Sequence, residues 1–223
     1  MNNSGELVHV VGAISGVRIA LFDFDGVIAN TEVHQFAAYR QLLASLGGGM
    51  TLTDFTPYMG LSEPEIYEQI ERDLDLEIDI PSATEARKAM FLEQVRQAGL
   101  QPYPMIVSLL SDLRARGVEV HILSSNVEST IDHLLETWGL RGYFDHIFTV
   151  DGSEPRASKT DLLLRLADEW SVANQEVLLV EDSARMLTLA RAQGMRTIAV
   201  RHELNRDIHF DADVEISPIS GKQ

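Results

Sequence analysis

Hydrophobic positions along the chain follow two periods. From Val17 to Phe22 they run almost without interruption, too briefly for a buried helix, and predict a strand covered on both faces. Past Gly26 the spacing changes. Phe36, Tyr39, Leu43 and Leu46 recur at helical intervals as far as the stop at Gly47-Gly48-Gly49. Ile66, Ile70 and Leu74 predict a second helix with Pro64 near its first turn. Ser82, with Glu85 three residues on, has the capping-box pattern and predicts the start of a third helix that closes near Gly99. Between about Glu32 and Gln101 no strand-like run occurs, so this stretch is expected to be an all-helical insertion.

Beyond Pro102 the two periods alternate. Pro104 opens a helix with apolar Leu109, Leu110 and Leu113, stopped at Gly117, and Val118 to Leu123 follows as a strand. Ile131, Leu134, Leu135 and Trp138 mark a helix, His146 to Val150 a strand, and Leu162, Leu163, Leu166 and Trp170 another helix. Val177 to Val180, Met186 to Gln193 and Thr197 to Val200 complete the series as strand, helix and strand. Such alternation implies an α/β fold with a doubly wound parallel sheet. The expected core is residues 1–31 and 102–223, with a helical cap over 32–101. Leu7 to Val11 is expected as a short strand, and the tail from His202 as polar and irregular.

Composition changes this picture only at its edges. The chain has 223 residues, 45% of them hydrophobic, enough for a full core. No run of eighteen apolar residues occurs, and Met1 to Leu7 does not read as a signal peptide, so a cytoplasmic protein is the default expectation. The absence of cysteine removes disulfides and thiolate chemistry. A formal charge of −16 disfavours nucleic acid and anionic membrane as partners. It does not exclude a phosphorylated substrate, because screening over about 8 Å lets a local cation outweigh the distant surface.

The candidate chemistry lies where strands end, since ligands of open α/β sheets bind outside the carboxyl ends. The first strand runs into Asp23-Phe24-Asp25-Gly26. Two carboxylates there call for a divalent cation, and a carboxylate can itself be a phosphoryl nucleophile. Ser124-Ser125-Asn126 follow the second strand, offering a hydroxyl and free amides to an anion, with plain helix capping as the alternative. Lys159 is expected at a helix start, where a cation is electrostatically out of place, with Arg156 as a rival. Glu181-Asp182 form a second acidic pair after the fourth strand. Asp23, the Asp25 carbonyl and Asp182 together would suit Mg²⁺, with capping by Asp182 as the alternative.

In this order the four stretches resemble the motifs of the haloacid dehalogenase-like (HAD) superfamily, most closely its β-phosphoglucomutase and phosphoglycolate phosphatase branch with a C1-type cap. Phe22 to Ile28 looks like the first motif, Ile122 to Asn126 the second, Lys159 the third and Leu179 to Ser183 the fourth. Tyr58 to Ser62 is similar to the substrate-facing cap loop. The resemblance implies an aspartyl-phosphate on Asp23, proton transfer by Asp25, charge stabilisation by Ser124 and Lys159, and Mg²⁺ held by Asp23, Asp25 and Asp182, with Glu181 acting through water. It also implies substrate or phosphate contacts at Gly26, Glu32, Ser62, Ser125 and Asn126, and His34 and Glu63 are further candidates to face the substrate.

The implied protein is a Mg²⁺-dependent phosphatase of a small phosphorylated metabolite, a monomer or small homo-oligomer. Its alternatives are a sugar-phosphate mutase and a catalytically silent binding or regulatory protein. Against the mutase stands Glu63, an acid where mutases carry a phosphate-holding arginine. A phosphonate-cleaving enzyme would need a cap lysine, and Lys88 is the single one in that stretch.

Overall fold

The computed structural model describes residues 10, 12–58, 61, 63–150 and 157–218. Six strands form one sheet in the order β3-β2-β1-β4-β5-β6, with every pairing parallel. They are β1 (Ile19–Phe22), β2 (Glu119–Ser124), β3 (His146–Thr149), β4 (Val177–Glu181), β5 (Arg196–Val200) and β6 (Val214–Ile216). All four residues of β1 are buried, because it is central and covered on both faces. Alternate side chains sort to opposite faces, as the two-residue period of a strand requires. Ala20, Phe22, Val120, Ile122, Leu178 and Val180 pack on one side. Ile19, Leu21, Leu123, Val177 and Leu179 pack on the other.

Helices cover both faces. The first side receives α5 (Pro104–Ala115) and α6 (Glu128–Thr137); the second receives α7 (Lys159–Glu169) and α8 (Ala184–Ala192). Burying each Leu of these interfaces stabilises the fold by about 1.5–3 kcal/mol. The expected doubly wound sheet is therefore observed.

The described residues between β1 and α5 carry four helices, α1 (Glu32–Ser45), α2 (Leu52–Phe55), α3 (Glu63–Leu74) and α4 (Ile80–Ala98). They enclose an apolar cluster of their own, built on Tyr39, Leu43, Phe55, Tyr67 and Ile70. Ala38, Phe91 and Val95 instead join the main core, so α1 and α4 face both ways. Helix α2 has no long apolar period and is specified by its cap, a reciprocal Thr51–Asp54 box.

Three expectations need correction. Helix α4 starts at Ile80, not at Ser82, with Pro81 in its first turn. Pro81 supplies a helical φ but no N–H, so Asp79 at the N-cap has no N2 donor, and Ser82 Oγ donates back to Asp79 Oδ2 at 2.5 Å. The tail from His202 is not irregular throughout. Val214–Ile216 adds to the sheet as β6, and Arg201 N–H donates to Ile216 C=O at 2.8 Å. Three residues are too few for an alternating pattern to register. Of the strand expected over Leu7 to Val11, only Val10 is described, and it is helical, its carbonyl accepting the Ile14 N–H at 3.1 Å. No helix among the described residues is long and apolar enough to cross a membrane.

Candidate active site

Sheet register sets the site. Phe22 pairs with Ile122 on one side and Val180 on the other, so the carboxyl ends of β1, β2 and β4 share one rim. The Asp23 N–H donates to Val180 C=O at 2.9 Å, which places Asp23 level with Glu181. Above this rim is a cavity of about 330 Å³, walled on its far side by residues of α1, α3 and α4. Asp23, Asp25, Ser124, Lys159, Glu181 and Asp182 all line it, as do Glu32, Ser125 and Asn126.

Lys159 is the hub of the charged floor. Its Nζ lies 2.7 Å from Asp23 Oδ2 and 2.7 Å from Glu181 Oε2. Burial alone would lower this ammonium, but the Asp23 and Glu181 carboxylates hold it well above its ordinary value. Helix α7 carries it at its first residue, after a Ser158–Asp161 capping box that fixes the entry of the chain. Glu181 is fully buried, and its Oε1 accepts the N–H groups of Asp182 and Ser183 at 3.2 and 3.1 Å. Burial first, then the Asp23 charge, pushes the Glu181 carboxyl well above the usual range.

Asp25 is held from two sides. Gln35 Nε2 donates to Oδ1 at 3.1 Å and Asn126 Nδ2 to Oδ2 at 2.9 Å. Burial and the neighbouring Asp23 charge raise Asp25, which favours its protonated form. Glu32 is raised further, by burial and then by Asp25, Asp182 and Asp23. Ser124 Oγ accepts the Asn126 N–H at 3.1 Å, leaving its own hydroxyl proton to donate elsewhere. Neither capping alternative is realised. Val127 and Ser183 occupy the N-cap positions of α6 and α8; Asn126 Oδ1 accepts the Val127 N–H at 2.8 Å, which leaves its Nδ2 for Asp25.

Gly26 does not line the cavity; it lets other groups approach. Its φ is +69°, and a Cβ there would lie 2.3 Å from Asp182 Oδ2. His34 is partly exposed and outside the lining, with burial lowering its pKa. Ser62 and Arg156 lie outside the described residues. Lys88 is also outside the lining, its Nζ donating to Ser129 Oγ on α6 at 2.7 Å.

One charge argument is corrected. Glu63 is not a free acid: Arg87 Nε lies 2.5 Å from its Oε1, with both side chains nearly closed to solvent. Arg87 Nη1 also donates to Gln35 Oε1 at 2.6 Å, and the guanidinium sits 5.0 Å from the Tyr39 ring centre. Gln35, Arg87, His202 and Asn205 were all missed by the sequence reading. His202 had a usable signal, since it stands two residues after β5, where the strand-end rule applies equally. Gln35 and Arg87 had none; they are single polar residues on helices.

Asp23, Glu181 and Asp182 offer oxygens within 4.8 Å of one another. Three carboxylates so close, two of them buried, with one lysine among them, form a hard-oxygen donor set that fits a cation such as Mg²⁺.

The family model for haloacid dehalogenase-like hydrolases matches residues 20–200. The chain belongs to that family. It is 28% identical over 200 residues to Suppressor of quenching 1, a chloroplastic protein of Arabidopsis thaliana, an alignment covering 88% of this chain but 19% of that protein. It is also 28% identical over 188 residues to the fructose-1-phosphate phosphatase YqaB of Escherichia coli, covering 81% of this chain and 95% of that one. Among solved structures, CbbY of Rhodobacter sphaeroides in complex with phosphate superposes with a TM-score of 0.78 at 22% identity, covering 90% and 93% of the two chains. At that identity the likeness establishes the fold.

Proposed function

We propose that the chain is a Mg²⁺-dependent phosphatase of small, hydroxyl-rich phosphate monoesters, working through an aspartyl-phosphate on Asp23. The observation that carries this reading is the convergence of Asp23, Lys159, Glu181 and Asp182 on one rim, within ion-pair and cation-binding distance. Asp23, Glu181 and Asp182 would hold the cation, which when bound neutralises charge on the transferring phosphoryl group.

A carboxylate oxygen of Asp23 attacks phosphorus, and the bond to the leaving alkoxide breaks. Asp25, whose pKa burial and the Asp23 charge raise, gives that alkoxide its proton. Asp25 then takes a proton from water, whose oxygen attacks the phosphorus and frees both Asp23 and inorganic phosphate. Lys159 and the Ser124 hydroxyl stabilise the phosphoryl oxygens throughout, the larger part of catalysis in this chemistry.

The helical segment over 32–98 serves as the cap in this reading. Its cavity wall presents Glu32, Gln35 and the neutralised Glu63–Arg87 pair. With Arg87 Nε and Nη1 both engaged, the pair adds little net charge to that wall, which, with Glu32 and Gln35 beside it, suits the hydroxyls of a monophosphorylated sugar. The name of the relative YqaB, a fructose-1-phosphate phosphatase, agrees with that class.

The test is free-phosphate release across a panel of sugar phosphates, phosphoglycolate and nucleotides, with Asp23→Asn as the control. Turnover should be highest with sugar monophosphates and abolished in the variant, which stays folded by circular dichroism. Phosphate release by Asp23→Asn close to that of the unaltered chain would remove the nucleophile and the mechanism with it.

A further inference from the structure

His202, from the loop after β5, is almost wholly buried and reaches Asp182 Oδ2 with its Nε2 at 2.7 Å. Its other ring nitrogen, Nδ1, accepts the Leu204 N–H at 3.2 Å. A nitrogen that accepts carries no proton, so the ring is neutral with its proton on Nε2, and Nε2 donates to Asp182.

The backbone of the same loop is tied to the same residue. The His202 N–H donates to Asn205 Oδ1 at 2.8 Å, and Asn205 Nδ2 donates to the carbonyls of Val200 and Asp182 at 3.0 and 3.3 Å. Gly26 closes the arrangement from below. A Cβ at that position would meet His202 Nε2 at 3.0 Å as well as Asp182 Oδ2. Oδ2 of Asp182 is therefore packed and hydrogen-bonded on its outer side, while the residue still shares the carboxylate cluster with Asp23 and Glu181.

We propose that His202 is a positioning residue for the cation site: its Nε2–H grips one oxygen of Asp182 and so orients the other toward Asp23 and Glu181. The inference rests on the cation reading above and extends it to a loop outside the four motifs. Partners that orient a ligating carboxylate are worth roughly 10- to 100-fold in metal affinity.

The test titrates Mn²⁺ into the metal-free full chain and reads bound against free ion by electron paramagnetic resonance. Asp182→Asn should lose the site. His202→Leu should weaken binding by about tenfold or more. His202→Gln, whose amide nitrogen reaches as far as Nε2, should restore most of the affinity, and His202→Asn, one methylene shorter, should not. Melting temperatures of the metal-free variants separate fold from site, since a purely structural role would lower them without ranking Gln above Asn in affinity. Wild-type affinity in His202→Leu overturns the inference, and should that variant not fold, equal affinities for Gln and Asn overturn it. If Asp182→Asn binds Mn²⁺ like the unaltered chain, the cation reading itself fails.

Discussion

The Lys159 ammonium lies 2.7 Å from Asp23 Oδ2, with 7% and 11% of the two side chains exposed. A buried ammonium at the start of a helix is unfavourable both for desolvation and for the helix dipole. It persists here because the Asp23 and Glu181 carboxylates flank it.

Replacing Lys159 with Met leaves two carboxylates facing each other without a counter-charge. The expected loss in kcat is about 10²- to 10³-fold, the scale of removing one transition-state donor. Stability should fall by about 3–5 kcal/mol, as when a buried pair loses one partner. Steady-state kinetics and urea unfolding on the same preparation check both, and a variant with near-normal kcat would show that Lys159 only balances charge.

Chelation should silence the enzyme. Turnover is expected to vanish in EDTA and return on adding Mg²⁺. A cation present at 100 times its Kd should also raise the unfolding free energy by about 2.7 kcal/mol, provided it binds only the folded chain. Activity indifferent to EDTA would count against the carboxylate cluster as a cation site.

The Glu63–Arg87 pair joins α3 to α4, and through Gln35 it reaches Asp25. Arg87→Met should cost about 3–5 kcal/mol, because it strands Glu63 in a nearly closed site. Adding Glu63→Gln should recover much of that loss. In both variants kcat should fall, since Gln35 loses the anchor that holds it against Asp25. A double-mutant cycle with no coupling energy would refute the pair.

His121 makes stability depend on pH. Its ring is 2% exposed, sits 5.5 Å from His146 and 5.7 Å from Trp170, and has no hydrogen-bond partner for either nitrogen. Burial pushes its pKa down, opposed by Asp145 and by Glu119, whose Oε2 lies 3.8 Å away. The unfolded chain therefore binds this proton first, near pH 6.5, so the neutral ring's contribution is complete above about 6.5 and is lost as pH falls toward the lower folded value. His121→Phe should remove that slope. Urea unfolding at pH 8 and pH 5.5 should show the variant losing less stability than the unaltered chain.

Much of the scaffold was legible because periodicity is a local property. Central strands buried on both faces must be apolar throughout, so β1 and β4 announced themselves, and the carboxylates after them stood out against those runs. Helix starts were less readable. Pro81 shifted the start of α4 by two residues, through an N–H it lacks. Strand β6 was invisible because its stability comes from pairing with β5 and not from its own three residues.

The sequence by itself determined the parallel α/β sheet, its helical insertion and the polar residues that crown its strands, since each follows from the pattern of a short segment. Only the tertiary structure decided who partners whom: Arg87 with Glu63, Gln35 and Asn126 with Asp25, His202 with Asp182. Those pairings join residues far apart along the chain, and a charge or hydrogen bond acts over a few ångströms of space whatever the number of residues between its two ends.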